Sequence, residues 1–177
     1  YIAPCKQKFE DGDTRAALAC VRKFAEQGHP EARQHIALLL ECASFSMKKG
    51  QSSSNDAREW LGRALKLSQQ PKIPELQSEV RFHLGELEES QRNWKAAAHN
   101  FRDASQIELS TRGNTTQAAH SLKRAAYAFD RLGQSADAIE NYQKAEQLYR
   151  SLGSLSGRAS VAAGMGNTYL QIEDLEQ

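Results

Sequence analysis

The chain has 177 residues, of which 40% are hydrophobic and 25% are charged, and its 23 basic residues nearly balance its 22 acidic residues. The two signs of charge are interleaved, whereas phosphate binding needs a concentrated basic surface, so the composition argues against a nucleic-acid partner. No stretch reaches the roughly 18 consecutive apolar residues of a membrane helix, which argues against membrane insertion.

Two of the three cysteines flank the first predicted turn. Cys5 and Cys20 lie on either side of residues 11–13 (DGD) and would stand at similar heights in an antiparallel helix pair, so a bridge between them is geometrically allowed. The alternative is a free pair, because free cysteine is usually a small buried apolar residue. Free thiols favour a cytoplasmic location, whereas a Cys5–Cys20 disulfide would indicate a periplasmic or secreted protein.

Small residues recur at a constant interval along the whole chain. Four alanines are spaced by 40, 40 and 41 residues, and each is followed four positions later by a larger apolar residue. The alanines are Ala17, Ala57, Ala97 and Ala138, and the larger residues are Val21, Leu61, Phe101 and Tyr142. Because a small residue lets two helices cross closely while a larger one fills the next groove, this period predicts repeated pairs of antiparallel helices.

Apolar residues within single segments follow the spacing of a helix, three or four positions apart, and the alternation typical of strands is absent. One such stripe consists of Leu76, Val80, Leu84 and Leu87. Gly133 and Gly153 mark predicted helix ends, since glycine tolerates the left-handed conformation that closes a helix. Asp13 and Ser135 are predicted N-caps, because their side-chain oxygens can accept hydrogen bonds from the first amides of a helix.

The first half of the chain resembles Sel1-like repeats, through residues 25–32 (AEQGHPEA) and residues 57–64 (AREWLGRA). The second half resembles tetratricopeptide (TPR) repeats. One TPR-like unit contains Leu84-Gly85, residues 92–97 (RNWKAA), Phe101 and Ala104, and the next contains Leu122, Ala126, Phe129, Gly133 and Ala138. A further unit begins at Met165-Gly166 and Tyr169, and its second helix would fall beyond Gln177, so we expect the natural protein to continue.

Both families are helix-turn-helix solenoids, so the resemblance implies an all-α, right-handed superhelix of about nine antiparallel helices. Sel1-like and TPR-like repeats would occupy residues 1–69 and TPR repeats residues 70–177, as one continuous solenoid whose last repeat is truncated. The period of about 40 exceeds the 34 residues of an ordinary TPR unit, and the extra residues lengthen each helix pair by roughly 9 Å. This resembles the long-helix TPR subtype.

No motif in the sequence indicates catalysis or a cofactor. The five histidines show no HExxH pattern, no Cys-x-x-Cys partner and no carboxylate at metal-ligand spacing. The phosphate-binding patterns GxGxxG and GxxxxGKS/T and the nucleophile pattern GxSxG do not occur. The sequence therefore predicts a protein without enzymatic activity, bound metal or cofactor.

The TPR resemblance places binding residues on the first helix of each repeat, where side chains face the concave interior of the superhelix. The candidate binding residues are Phe82, Glu86, Lys123, Tyr127, Arg131, Asn167 and Gln171. Asp130 and Leu170 lie on the same predicted faces. In the TPR family, an asparagine directly after the small packing residue, as Asn167 is after Gly166, often hydrogen-bonds the backbone of an extended peptide. Its amide can both donate and accept, which suits a peptide bond.

Two other interpretations of these residues stay open. A mixed run such as Lys123, Arg124 and Asp130 is also typical of a solvated helix face, and Tyr127 could equally pack against the next repeat. Phe82 and Glu86 stand where the TPR clamp for a C-terminal carboxylate carries lysine and asparagine. The pattern therefore argues against an acidic tail as the ligand.

Together these features predict a protein-interaction scaffold or adaptor that holds a peptide or helix of a partner protein in its concave groove. The alternative function is a regulatory TPR domain that senses a small ligand or a short peptide and changes its curvature. The two ends of the predicted solenoid are candidate surfaces for self-association, because each would present the face that neighbouring repeats normally cover.

Overall fold

The structure is a computed structural model that describes residues 2–11, 13–27, 31–47, 54–69 and 73–175. Within these ranges it is all-α, as predicted, with nine helices and no strand. The helices are α1 (Ala3–Glu10), α2 (Thr14–Gln27), α3 (Ala32–Met47), α4 (Ser54–Gln69), α5 (Pro74–Ser90), α6 (Trp94–Arg112), α7 (Thr116–Arg131), α8 (Ser135–Ser151) and α9 (Leu155–Leu175). None of these helices is both long and apolar enough to cross a membrane.

The chain divides into two compact units, Tyr1–His83 and Leu84–Gln177. The boundary lies inside α5. The reason is that the second half of α5 packs on the helices that follow it. A Cβ placed on Gly85 would lie 2.6 Å from the ring of Phe101 in α6, and Glu89 accepts a 2.7 Å hydrogen bond from Arg124 in α7.

Within each unit, helices pack mainly against their neighbours in the chain. In the first unit α1 contacts α2, α2 contacts α3 and α3 contacts α4. In the second unit the same succession joins α6, α7, α8 and α9, and α7 also contacts α9. Contacts that are local in sequence are typical of a repeat array, in which each element buries its apolar face against the next one.

The repeated small residues lie where helices cross, as the period predicts. All four alanines of the repeat are fully buried, and so are three of the four larger partners, while Tyr142 is 3% exposed. Gly85 of α5 shows why a small residue is needed. The ring of Phe101 occupies the space in which a Cβ of residue 85 would lie, so a larger residue at this position would clash with the ring.

Glycine ends two of the helices of the second unit, as predicted. Gly133 and Gly153 follow α7 and α8 with φ of 72° and 67°, values that side chains disfavour. The amide of Gly133 donates to the carbonyl of Asp130, and the amide of Gln134 donates to that of Phe129. These bonds satisfy carbonyls that the helix itself leaves without partners.

The predicted N-caps meet different outcomes. Asp13 caps α2 as predicted, because its Oδ1 accepts a 2.8 Å hydrogen bond from the amide of Ala16. The prediction for Ser135 is wrong by one residue, since Ser135 is the first residue of α8. Gln134 occupies the N-cap and makes no side-chain capping bond. The turn geometry after Gly133 fixes where α8 begins, and a preferred capping residue one position later cannot shift it.

Cys5 of α1 and Cys20 of α2 form a disulfide, with Cα atoms 5.5 Å apart. The sequence left this bridge open. Ile2 and Cys5 are fully buried, so the short α1 is held against the first unit by packing as well as by the bridge. Cys42 is free and buried, and burial raises the pKa of its thiol to about 12. The thiol is therefore protonated at neutral pH and chemically unreactive.

Candidate functional site

A groove opens among α7, α8 and α9 in the second unit. Its cavity has a volume of about 380 Å³, toward the lower end of the range of ligand pockets. It is lined by Tyr127, Asp130, Arg131, Tyr142, Gly164, Asn167, Leu170 and Gln171. We call it the α7–α9 groove. Its volume suits a few side chains of a peptide.

The α7–α9 groove brings together four of the seven candidate binding residues. Those four are Tyr127 and Arg131 of α7 and Asn167 and Gln171 of α9. In each pair the two residues are four positions apart, which places them on one face of their helix. Because α7 and α9 also contact each other, two stripes that the sequence predicts separately form two walls of one groove.

The α7 wall is stiffened by aromatic contacts. The rings of Tyr127 and Trp94 lie edge to face, with centroids 5.9 Å apart and an interplanar angle of 88°. The guanidinium of Arg131 stands over the same indole, 5.4 Å from its centroid. These contacts hold Tyr127, which is 40% exposed, in a defined position where its ring and hydroxyl are accessible.

Tyr142 of α8 closes the bottom of the α7–α9 groove. Its ring packs directly on α9, since a Cβ placed on Gly164 would lie 2.6 Å from both Cζ and Oη of Tyr142. Burial, and then the negative charge of Asp130, raise the pKa of Tyr142 to about 12. The phenol therefore stays protonated at neutral pH and contributes a neutral hydroxyl to the groove.

Asp130 is the acidic side chain of the α7–α9 groove and is only 9% exposed. Its Oδ1 is buried and meets no hydrogen-bond donor among the residues that the structure describes. Leaving a buried acceptor without a partner costs about 1–3 kcal/mol, and more when the group is charged. The groove therefore holds a carboxylate with one oxygen, Oδ1, that accepts no hydrogen bond from the described residues.

Solved structures similar to this chain include proteins with TPR-like repeats. A Podosopora anserina protein described as a kinesin light chain with nearly identical TPR-like repeats has a TM-score of 0.75 and 13% identity, over 98% of this chain and 85% of its own. The chain has a TPR-like repeat fold. MamA has a TM-score of 0.58 and 19% identity, over 99% of this chain and 98% of its own. BtubC from P. vanneervenii has a TM-score of 0.57 and 13% identity, over 96% of this chain and 78% of its own. No protein-family model and no curated protein matches the sequence.

Two of the candidate binding residues lie elsewhere in the second unit. Glu86 is 3.6 Å from Arg124, which also donates to Glu89, and this ion-pair group joins α5 to α7. Lys123 donates a 3.0 Å hydrogen bond to Ser160, and burial together with the charge of Arg124 lowers its pKa. Neither side chain lines the α7–α9 groove.

Within the described ranges, no group of three or more His, Cys, Asp or Glu residues is placed to hold a metal ion.

The first unit has a groove of its own, with a volume of about 330 Å³, lined by residues of α1, α3 and α5. Its Glu41 already accepts a 2.6 Å hydrogen bond from Lys6, so this carboxylate has a partner within the fold. Phe82, the candidate binding residue of this unit, is 8% exposed and does not line that groove. Burial of the phenyl ring in the core contributes more free energy than a partner could gain by covering the small part that stays exposed, because the hydrophobic contribution grows with the apolar area buried.

Two residues that shape the α7–α9 groove, Tyr142 and Gly164, are not among the binding residues that the sequence predicts. The sequence predicts Tyr142 as a packing residue of the repeat, and its ring does pack on Gly164, yet the same contact forms the floor of the groove. A usable signal was present, because small residues of α9 must face large ones of α8 at a crossing. The pattern predicts that α8 and α9 cross here, but it does not show that a groove lies between this crossing and α7.

Gly164→Ala and Gly166→Ala form a matched pair of substitutions two residues apart on α9. A Cβ at position 164 would meet the ring of Tyr142, whereas a Cβ at position 166 would meet no atom within 4 Å. We expect Gly164→Ala to destabilise the second unit by about 1–3 kcal/mol, because the buried ring must move. Gly166→Ala should stabilise it by roughly 0.5–1 kcal/mol, since alanine favours helix.

Thermal unfolding followed by circular dichroism measures both effects, with Gly166→Ala as the control for helix propensity. Shifts of the same sign and size in the two variants would contradict the packing of Tyr142 on α9.

Proposed function

We propose that this chain is a protein-interaction scaffold whose α7–α9 groove holds a peptide segment of a partner protein. The observation that carries the proposal is the meeting of Tyr127, Arg131, Asn167 and Gln171 in one groove. The sequence predicts that all four lie on the concave face, where the TPR resemblance places peptide binding. The TPR-like fold supports the proposal, because stacked helix pairs present extended surfaces suited to such binding.

The chemistry of the α7–α9 groove matches that of an extended peptide. The amides of Asn167 and Gln171 can each donate and accept, which is what a peptide bond requires of its partner. Leu170, 61% exposed, offers apolar surface, and Tyr127 combines ring area with a hydroxyl. A peptide in the groove would meet apolar contact and backbone hydrogen bonding together.

The alternative function is that of a sensor, in which a small molecule or a short signalling peptide binds and shifts the stability of the domain. Thermal-shift screening separates the two functions, because a ligand that binds the folded state stabilises it by an amount that grows with the logarithm of the ratio of ligand concentration to Kd. Stabilisation by a small molecule favours the sensor. We propose no catalytic role, since the sequence carries no enzyme motif.

A peptide selection followed by substitution tests the proposed function. Peptides selected from a random phage-displayed library on the wild-type chain are synthesised with a fluorescent label, and their Kd is measured by anisotropy. Tyr127→Ala and Asn167→Ala should each weaken binding by about tenfold or more, because side chains that anchor an interface carry most of its affinity.

Gln143→Ala is the matched control, because Gln143 is exposed on α8 and does not line the groove. Its Kd should equal that of the wild type. Peptides that bind all three variants as tightly as the wild type would show that the α7–α9 groove is not the binding site.

A further inference from the structure

Asp130 in the α7–α9 groove suggests what the bound peptide must carry. Its side chain is nine-tenths buried, it lines the groove, and its Oδ1 has no donor among the described residues. Buried polar groups in folded proteins almost always have a hydrogen-bond partner, so an exception at a binding surface points to a partner supplied from outside. The missing group must be a hydrogen-bond donor.

We propose that the partner segment places a lysine or arginine side chain on Asp130 when it binds the α7–α9 groove, an inference that rests on the proposed function. A cationic donor both completes the hydrogen bonding of the carboxylate and neutralises its charge. A backbone amide would also form a charge-assisted hydrogen bond with the carboxylate, but only a cation also compensates the buried negative charge, so a cation fits better.

The residue next in the chain does not supply this charge. The guanidinium of Arg131 stands over the indole of Trp94, 5.4 Å from its centroid, and Arg131 is exposed. Tyr142, whose ring lies at the bottom of the groove, contributes a neutral phenol. The positive charge that Asp130 lacks is thus absent from the residues that line the groove, apart from an arginine engaged with a tryptophan.

Burial decides which of the two neighbouring charges selects the ligand. Arg131 is solvated, so its attraction for an acidic ligand is weakened by water and salt. The buried Asp130 acts through a medium of lower dielectric constant, where the interaction of two charges at a given distance is about fourfold stronger than in water. A basic side chain is therefore favoured over an acidic one, in line with the missing clamp for a carboxylate tail.

The geometry of an aspartate allows a ligand to engage the carboxylate from the groove. Its negative charge is shared between two equivalent oxygens, so a cation beside either oxygen interacts with the charge of the whole group. A donor that approaches from the groove compensates the whole carboxylate. Amides at Asn167 and Gln171 would hold the peptide backbone beside it.

The test uses labelled peptides selected on the wild-type chain from a random library, each paired with a version in which lysine is replaced by norleucine, or arginine by citrulline. On the wild type, removal of the charge should weaken binding by about tenfold. On Asp130→Asn, a substitution of nearly the same shape, the charged and neutral versions should bind within about twofold of each other.

Glu140→Gln is the control for net charge, because it makes the same change on the exposed face of α8. It should leave the tenfold preference for the basic peptide intact. A thermal scan of Asp130→Asn should show little change in melting temperature, since asparagine has nearly the same shape as aspartate and Oδ1 has no hydrogen bond to lose.

The outcomes separate this inference from the proposed function. If Tyr127→Ala weakens the peptides but basic residues are neither enriched nor needed, the assignment of Asp130 is wrong and the groove still binds peptides. If Asp130→Asn keeps the preference for the basic version, a different residue reads the charge and the inference is again wrong. If no selected peptide depends on the groove, both proposals are wrong.

Discussion

Phe101→Ala should lower the free energy of unfolding of the second unit by about 3–5 kcal/mol, the usual cost of emptying a buried phenylalanine site. Phe101 is fully buried in α6, and its ring fills the space beside Gly85 of α5. The guanidinium of Arg124 in α7 lies 4.8 Å from the ring centroid. The ring therefore contacts α5 and α7 as well as its own helix, and its removal leaves a cavity among the three helices.

Urea unfolding followed by the fluorescence of Trp94 measures the loss. The chain has two tryptophans, Trp60 in the first unit and Trp94 in the second, so a Trp60→Phe background makes the signal specific for the second unit. The midpoint should fall while the urea dependence stays constant. A change below about 1 kcal/mol would show that Phe101 is not the contact that holds α5, α6 and α7 together.

A double-mutant cycle with Gly85→Ala tests the same contact from the other side. Alone, Gly85→Ala should destabilise by about 1–3 kcal/mol, because its Cβ would overlap the phenyl ring. In the Phe101→Ala background the ring is gone, and Gly85→Ala should instead stabilise by up to about 1 kcal/mol through helix propensity. This reversal of sign is expected only for residues in direct contact.

These contacts explain why the fold was predictable from sequence. The period of about 40 residues marks the positions where helices cross, and crossings impose strict limits on side-chain size. Ala17, Ala57, Ala97 and Ala138 are all fully buried, so each alanine in the series meets the same steric demand. Boundaries were less predictable. The start of α8 was missed by one residue, because turn geometry outweighs the preference of a single cap.

The candidate site was predictable in part, for a related reason. Helical periodicity assigned Tyr127, Arg131, Asn167 and Gln171 to common faces, and the contact between α7 and α9 then joined those faces. Burial of polar groups was not predictable in this way. Asp130 stands in a mixed run of charges that is typical of a solvated face, yet it is 9% exposed. Periodicity does not specify how much of each side chain its neighbours cover.

Phe82 shows the opposite error. It shares a helix with Glu86, one turn away, and was assigned to the binding face with it, but Phe82 is buried while Glu86 forms an ion pair with Arg124. Spacing alone cannot separate the packed edge of a helical face from its exposed edge. That distinction depends on the crossing angle and on the helices that follow.

The bridge between Cys5 and Cys20 should contribute about 3 kcal/mol to the stability of the first unit. It closes a loop with a sequence separation of 15 residues, and cross-linking a loop of this length lowers the entropy of the unfolded state and so raises its free energy by about that much. Replacing both residues by serine should lower the stability of the first unit accordingly. Urea unfolding in a Trp94→Phe background, in which Trp60 is the reporter, measures the change.

Reductant supplies the matched control, because it should destabilise the wild type and have no effect on the double serine variant. Cys42 should not interfere, since its thiol has a pKa of about 12 and is buried. Denatured without reductant, the chain should show one free thiol when produced in an oxidising compartment and three when produced in a reducing one. Three free thiols from both sources would contradict the bridge.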